Sequence, residues 1–318
     1  MERHAFKFIG VKEIARDYPY SCRYRLEDLR LRDSIRRQGL RQPLVTTAGP
    51  VRFLVSGHRR FQAALYLGLQ EIPIFEIQGE VPTQDLFLAS LFSNWNQRSS
   101  ELDRAWALHQ AAQRHHFSES VIFEEIFPCL DLPRGRRVYE NCLAVARLDT
   151  SLLELIADGK LPFQGAERLA PFSAEDQKAF AREIAPRVSL TTNQLRQAAE
   201  WLHDLLKKEG KGLGSFWEDK NWKIGLNTED KRRSGEKFCE GIRALRFPRL
   251  VDQERKFRAL RRRIEQENQE LTLEAPDFFE GQGYTLRAKM RTPESLDHFL
   301  ELLQRKRPLL KSLFDIIL

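Results

Sequence analysis

No stretch of this 318-residue chain approaches the ~20 consecutive apolar residues that a bilayer-crossing helix needs. The opening segment, MERHAFKFIGVKEIARDY, has no apolar core of the kind that directs secretion. The expectation is therefore a soluble protein of the cytoplasm with no membrane partner. Cysteine is scarce: Cys22, Cys129, Cys142 and Cys239 lie far apart and form no CxxC pair. That spacing argues against both a zinc cluster and a disulfide framework. No internal repeat and no low-complexity tract stands out. Charge of a single sign is also lacking, since 52 Lys and Arg face 45 Asp and Glu for a net +7. So small an excess does not by itself nominate nucleic acid as a partner.

What is present is enough apolar material, 42% of residues, to build real cores. The length favours two or three domains. The spacing of Leu26, Leu29, Leu31 and Ile35 predicts a helix over 26–38 that stops at Gly39. Residues 43–47 and 51–56 read as strands around the turn Ala48-Gly49-Pro50, followed by a helix closing at Gly68 and a strand over 72–77. A helix from Thr83, read as its N-cap, to about Phe92 completes an α+β unit. From Glu101 to about Lys208 the pattern is helical, with Ser118, Ser173 and Thr191 as helix starts and 128–133 as a break. The Lys- and Gly-rich segment holding Trp217 and Trp222 marks a boundary, although two tryptophans argue against a plain linker. Beyond it, a charged helix over 250–269, strands over 271–273 and 284–290, and a helix begun by Thr292-Pro293-Glu294 form a small α/β region. The expected division is 1–98, an α+β domain; 99–210, all-α; and 211–318, an accessory α/β domain.

The densest polar signal is SGHRRFQAA, from Ser56 to Ala64. A strand ends in glycine and a helix starts at once with His58, Arg59 and Arg60. Cations normally sit at helix C termini, so two in a first turn signal an anion at that end. The free N–H groups there, the close approach allowed by Gly57 and the forked guanidiniums all suit a phosphate. GLRQPL, with Gly39, Gln42 and Pro43, is a helix stop leading to a strand edge. SNWNQRSSELDRA gathers Asn94, Gln97 and Arg98 at a helix junction, and taken alone reads as a capped loop.

In this order the three segments, followed by helices, resemble the ParB/RepB partition-protein family over about residues 8 to 170. The resemblance implies a ParB/sulfiredoxin-like α+β fold for the first domain. It also implies a site for CTP with magnesium, slow CTP hydrolysis, and a homodimer clamped around DNA. Gly39, Gln42 and Pro43 match the family's Gly-x-x-Gln-Pro box, and Gly57, Arg59, Arg60 and Ala63 its Gly-Glu-Arg-Arg-x-x-Ala box, with His58 in place of glutamate. In the third box, Glu-Asn-x-Gln-Arg, Ser93 stands where the acid belongs, Asn94 fits, and one extra residue precedes Gln97 and Arg98. Magnesium wants anionic oxygen, so this loss counts against the metal and against hydrolysis. The nucleotide-contact candidates are thus Gly39, Gln42, Pro43, Gly57, His58, Arg59, Arg60, Asn94, Gln97 and Arg98. Sulfiredoxin chemistry is excluded because Gly57 precedes His58-Arg59 where a catalytic cysteine is required. No carboxylate cluster supports a nuclease.

Residues 117–127, a break and residues 133–148 read as helix, turn, helix. Pro133 is expected at the first helical position, with Arg134, Arg136 and Arg137 in the first turn. Arginine can read guanine, Asn141 adenine, and Tyr139 a phosphate, and Arg147 is a further DNA-contact candidate. Val138, Cys142, Val145 and Ala146 form the expected core stripe. The segment 148–172 also resembles the stretch immediately downstream of the reading helix in partition proteins. The C-terminal region resembles an accessory region of ParB-like proteins, and its Arg261-Arg262-Arg263 run reads equally as solvated helix face or as phosphate or partner surface. Double-stranded DNA is the expected partner, with a homodimer, a partition ATPase and nucleoid association implied by the resemblance. A plasmid- or phage-type transcriptional regulator, or an active nucleotide hydrolase or phosphotransferase on the same fold, remain the alternatives.

Overall fold

The computed structural model describes residues 4–94, 99–219, 230–266, 271–280 and 283–317. Its contacts group into two compact units, one of residues 1–199 and 211–235, the other of residues 200–210 and 236–318.

The first unit begins with a four-stranded sheet. Strands β1 (His4–Gly10), β2 (Leu44–Thr47), β3 (Leu54–Ser56) and β4 (Glu71–Ile77) lie in the order β1-β4-β2-β3. Only the β2–β4 pair is parallel. β3 is shorter than the expected 51–56: the Phe53 N–H is spent on the Thr47 hydroxyl at 3.0 Å, and Arg52 bridges to Ile14 instead of to β2. Helix α1 (Leu29–Gln38) starts later than expected because the Asp28 side chain accepts the Leu31 N–H and caps it. It stops at Gly39, as read from the sequence. Helix α2 (His58–Tyr66) follows β3 directly, and α3 (Thr83–Ser93) follows β4. Pro82, in extended conformation, is the N-cap of α3, so Thr83 is its first helical residue and not the cap.

One sheet face buries Ile9, Leu44, Leu54, Ile72 and Ile74 against Phe61 and Ala64 of α2. On it the buried carboxylate of Glu76 meets Lys7 Nζ at 2.6 Å and Arg52 Nε at 2.9 Å, and accepts from Gln78 at 2.9 Å. These contacts, Lys7 first, hold its pKa down to about 2 against the cost of burial. The other face, through Val55 and Ile77, packs with Leu86, Phe87 and Leu91 of α3.

That second core continues into the helices. Helix α4 (Glu101–His109) opens with a reciprocal Ser100–Asp103 capping box and widens at Gln110–Arg114. Ser118 caps α5 (Glu119–Val121), which runs through a wide turn, Ile122–Ile126, into α6 (Phe127–Cys129). Pro128 therefore does not break the helix. The widened turn ahead of it re-registers the backbone that a proline ring and its missing N–H disturb. The chain turns at Asp131, and α7 (Arg136–Ala146) begins after Gly135, leaving Pro133 and Arg134 in the preceding loop rather than in the helix. Helices α8 (Thr150–Ala157) and α9 (Ala174–Ala179) are capped by Asp149 and Ser173. The Thr191–Gln194 box expected before α10 (Thr192–Glu209) forms in both directions. Helix α11 (Leu213–Asp219) buries Phe216 and Trp217, while Trp222 lies outside the described residues. Ala105, Leu108, Ile122, Ile126, Phe127, Tyr139 and Cys142 share one core with the α3 residues, so apolar packing is continuous across position 98.

The second unit takes in most of α12 (Lys231–Arg246), then α13 (Pro248–Glu265), β5 (Leu271–Glu274), β6 (Thr285–Ala288), α14 (Pro293–Lys311) and α15 (Phe314–Ile317). α13 starts at Pro248, earlier than expected, because proline suits a first helical position. The expected end of that helix lies outside the described residues. β5 and β6 pair antiparallel, and Thr292 caps α14 with Pro293 next, as the sequence indicated. Phe257, Ile264, Leu271, Leu273, Phe279, Leu302, Leu313 and Ile316 form the core. Among the described residues no helix is long and apolar enough to cross a membrane.

Candidate functional site

The turn from β3 to α2 is built around Gly57, whose φ of +94° lies in the left-handed region. A Cβ there would stand 2.5 Å from Leu44 Cδ2, so glycine is required by space as well as by conformation. Beside this turn opens a cleft of about 470 Å³. Gln42, Gly57, His58, Arg59, Arg60 and Asn94 all line it, and Ser21, Arg23, Asp28, Ser56 and Ser93 join them. Six of the ten expected nucleotide contacts are thereby brought together. Gly39 ends α1 and Pro43 lends a carbonyl nearby, but neither lines the cleft. Gln97 and Arg98 lie outside the described residues.

The three polar residues of the first α2 turn have different roles. Arg60 donates to the Gln42 carbonyl at 2.9 Å and to the Pro43 carbonyl at 2.8 Å, bracing the Gln-Pro turn against α2. Arg59 is ion-paired with Asp28, the cap of α1. Burial and then the charge of Arg23 pull its pKa down. His58 is 6% exposed and edge-on to Tyr18 at 5.8 Å. Burial pushes its pKa down to about 4 although its ring is hydrogen-bonded to the Leu54 backbone. Its Nε2 is buried without a hydrogen-bond partner among the described residues. His58 is therefore a neutral ring at the cleft, not an exposed cation of the first turn.

The far wall is α3. Ser93 Oγ donates to the Ser90 carbonyl at 2.8 Å and lies 3.0 Å from Ser56 Oγ, and Asn94 Nδ2 donates to the same carbonyl at 2.7 Å. The Cys22 thiol is pushed up to about 12 by burial, so it is a packing group and not a nucleophile.

Residues 21–28, of which 21–25 were not read in the sequence and 26–28 were expected in the first helix, form the third wall. This extended strap also grips the helices behind it. Arg23 pairs with Asp103 at 3.3 Å, and the Tyr24 N–H donates to the other oxygen of that carboxylate at 3.1 Å. The Tyr24 hydroxyl donates to Glu154 at 2.9 Å, while Arg25 binds Asp158 at 2.8 Å and also pairs with Glu154. The only signal for it in the sequence was arginine alternating with tyrosine just after Pro19.

On the helical part, Tyr139 is not a surface contact. Its ring packs on Phe123 at 5.6 Å and Phe127 at 6.4 Å and is 8% exposed, because it falls on the buried stripe of α7 with Cys142, Leu143 and Ala146. Val138, expected in that stripe, is only half-buried. Arg136 is held by Glu119 at 2.7 Å and Glu140 at 3.0 Å. Arg134, Arg137 and Arg147 are exposed, and Asn141 is half-buried.

Residues 8–94, the sheet and the cleft, match the family model of the ParB N-terminal domain. The chain therefore carries a ParB N-terminal domain over those residues. It is 29% identical over 155 residues to the chromosome-partitioning protein Spo0J of Thermus thermophilus, covering 48% of this chain and 55% of that one. It is 26% identical over 216 residues to a probable chromosome-partitioning protein ParB of Xylella fastidiosa, covering 66% and 67%. The match thus spans about half to two thirds of these relatives' length. C-terminally truncated ParB of Caulobacter crescentus, solved with the centromeric parS site, aligns over 61% of this chain and 98% of its own at 17% identity and a TM-score of 0.34. The same protein with CTP-gamma-S aligns over 57% and 98% at 21% identity and a TM-score of 0.25. Overlaps at such scores leave the reading to this ParB domain's own geometry.

Proposed function

We propose that this chain is a ParB-type DNA-binding partition protein of the nucleoid whose N-terminal cleft binds CTP as a switch ligand. The observation that carries the nucleotide half is the convergence of Gln42, Gly57, Arg59, Arg60 and Asn94 in one cleft at the start of α2. A helix N terminus and forked guanidiniums favour phosphate. The cleft residues come from the three segments whose order marks the family, which is why CTP is the nucleotide named. The DNA half is supported by α7 and the loop before it, which present Arg134, Arg137 and Arg147 to solvent. Arg136, Arg137 and the half-buried Asn141 are assigned to the groove, and Tyr139 to holding the helix in place. Functionally, residues 1–98 form the nucleotide domain, 99–210 the DNA-reading domain and 211–318 an accessory one. A homodimer and a partition ATPase partner complete this reading.

Calorimetric titration with CTP, ATP and GTP tests the first half. CTP is expected to bind most tightly, and no heat with any of the three removes the switch. A salt titration of DNA affinity tests the second. Arg136→Ala with Arg137→Ala is expected to lower affinity and to shallow the salt slope by about two phosphate contacts, roughly 0.9 per contact. An unchanged slope and affinity reject α7 as the reading helix. Phosphate release with and without DNA is expected to be very low.

A further inference from the structure

We infer that the cleft holds its nucleotide without magnesium, the phosphate charge being met by arginine and the N terminus of α2. The inference rests on the nucleotide reading above and concerns only how that ligand is neutralised.

A magnesium ion demands near-octahedral oxygen ligation and takes a carboxylate wherever a protein supplies one. Among the described residues the cleft is lined by a single carboxylate, Asp28, and both of its oxygens are engaged. Oδ1 accepts the Leu31 N–H at 3.1 Å and Oδ2 accepts from Arg59. Handing Asp28 to a metal would uncap α1 and leave Arg59 without its counter-ion. The family's third box places an acid where this chain has Ser93, whose hydroxyl is already donated to the Ser90 carbonyl. Residues 95–98 are Trp, Asn, Gln and Arg, so they add no carboxylate. Among the described residues no group of three or more His, Cys, Asp or Glu could hold a metal ion. The donor set does not fit magnesium.

It does fit a bare polyphosphate. Arg23, Arg59 and Arg60 line the cleft against that one carboxylate. Burial first, and then the charge of Arg23, lower the pKa of Arg59 on this wall of the cleft. α2 brings the unsatisfied N–H groups of a first turn and the positive end of its dipole. The buried, unpartnered Nε2 of His58 stands at the same end. With the ring bonded to the Leu54 backbone and neutral near pH 7, Nε2 is left to accept from a ligand hydroxyl or amino group.

The test is calorimetric titration of the full chain with CTP in EDTA and again in millimolar magnesium, with inorganic tripolyphosphate as competitor in EDTA. The expected result is a dissociation constant that agrees within twofold in the two buffers, and displacement by tripolyphosphate without metal. Arg59→Gln should weaken CTP at least tenfold in EDTA. Ser93→Glu, at an exposed position, should weaken it about tenfold in EDTA and recover most of that loss in magnesium. CTP binding that is tenfold or more tighter with magnesium in the unaltered chain overturns the inference while leaving the nucleotide reading intact. Absence of CTP binding in both buffers overturns the nucleotide reading, and this inference with it.

Discussion

Arg59, in the first turn of α2, is ion-paired with Asp28, whose other carboxylate oxygen caps α1. One carboxylate thereby serves the starts of two helices and is, among the described residues, the sole acid lining a cleft with three arginines.

The two roles of Asp28 are separable by substitution. Asparagine keeps a capping oxygen, so Asp28→Asn should cost under about 1 kcal/mol, while Asp28→Ala should cost about 1 kcal/mol or more. Removing the negative charge should tighten CTP or pyrophosphate several-fold, because Arg59 is released toward the ligand. Urea melts and a calorimetric titration measure both. Weaker anion binding by Asp28→Asn would mean that Asp28 itself touches the ligand.

Glu76 is the most strongly stabilised carboxylate of the sheet. Its folded pKa lies near 2 and its ordinary value is 4.5. Its contribution to stability is therefore fully present above pH 4.5 and is lost as the pH falls toward 2. Glu76→Gln leaves Lys7 and Arg52 without their counter-charge. Lys7 is partly exposed, so the expected loss at pH 7 is about 2 kcal/mol rather than the full value of a buried pair. Denaturant midpoints from pH 7 to pH 3 should fall less steeply in the variant.

His58 disfavours its proton in the folded state as Glu76 does, but because its charged form is the protonated one. Its folded pKa of about 4 lies below the ordinary 6.5, so the folded state binds the proton less well than the unfolded chain does. Stability should fall as the pH drops from 6.5 to 4 and level off below that, by about 3 kcal/mol at roughly 1.4 per pKa unit. In His58→Gln that slope should vanish while the acid limb from Glu76 remains. An equal slope in both proteins between pH 6.5 and 4 would assign the effect to other groups.

Arg136 is partly neutralised before any DNA arrives, by Glu119 and Glu140. Freeing it with Glu119→Gln and Glu140→Gln should strengthen DNA binding severalfold at low salt. The gain should shrink at high salt, where exposed pairs and phosphate contacts are both screened. A fluorescence anisotropy titration at two salt concentrations reads this directly. No gain at low salt would indicate that Arg136 does not face the phosphates.

The parts of the molecule that could be read from residue order are those whose chemistry is local. Ser56 to Ala64 is one strand end, one turn and one helix start, so its glycine and basic residues announced the site without knowledge of anything distant. The caps at Ser118, Ser173, Thr191 and Thr292 were legible for the same reason. What escaped depends on contacts across the chain. The second task of Arg60, bracing the Gln42 and Pro43 carbonyls, involves residues distant in sequence and left no local mark. Residues 21–25 carry no helical or strand period, because an irregular strap satisfies its polar groups with other segments. Tyr139 was misread because tyrosine is at home both at a phosphate and in a core, and only Phe123 and Phe127 decide between them. The break read over 128–133 falls at 130–135, since Pro128 is taken into the last turn of the helix and the chain reverses at Asp131.

The core shared by Phe87 and Leu91 with Leu108, Ile126 and Phe127 limits how this protein can be cut or recombined. A fragment ending near residue 98 would bare the apolar side of α3, and one starting there would bare the matching side of α4. Exchanging the reading helices with those of a relative therefore calls for re-matching these side chains as a set. Drift at one of them should be answered by drift at its neighbours, so inheritance of the sheet and of the helices behind it is tied by shape as well as by function.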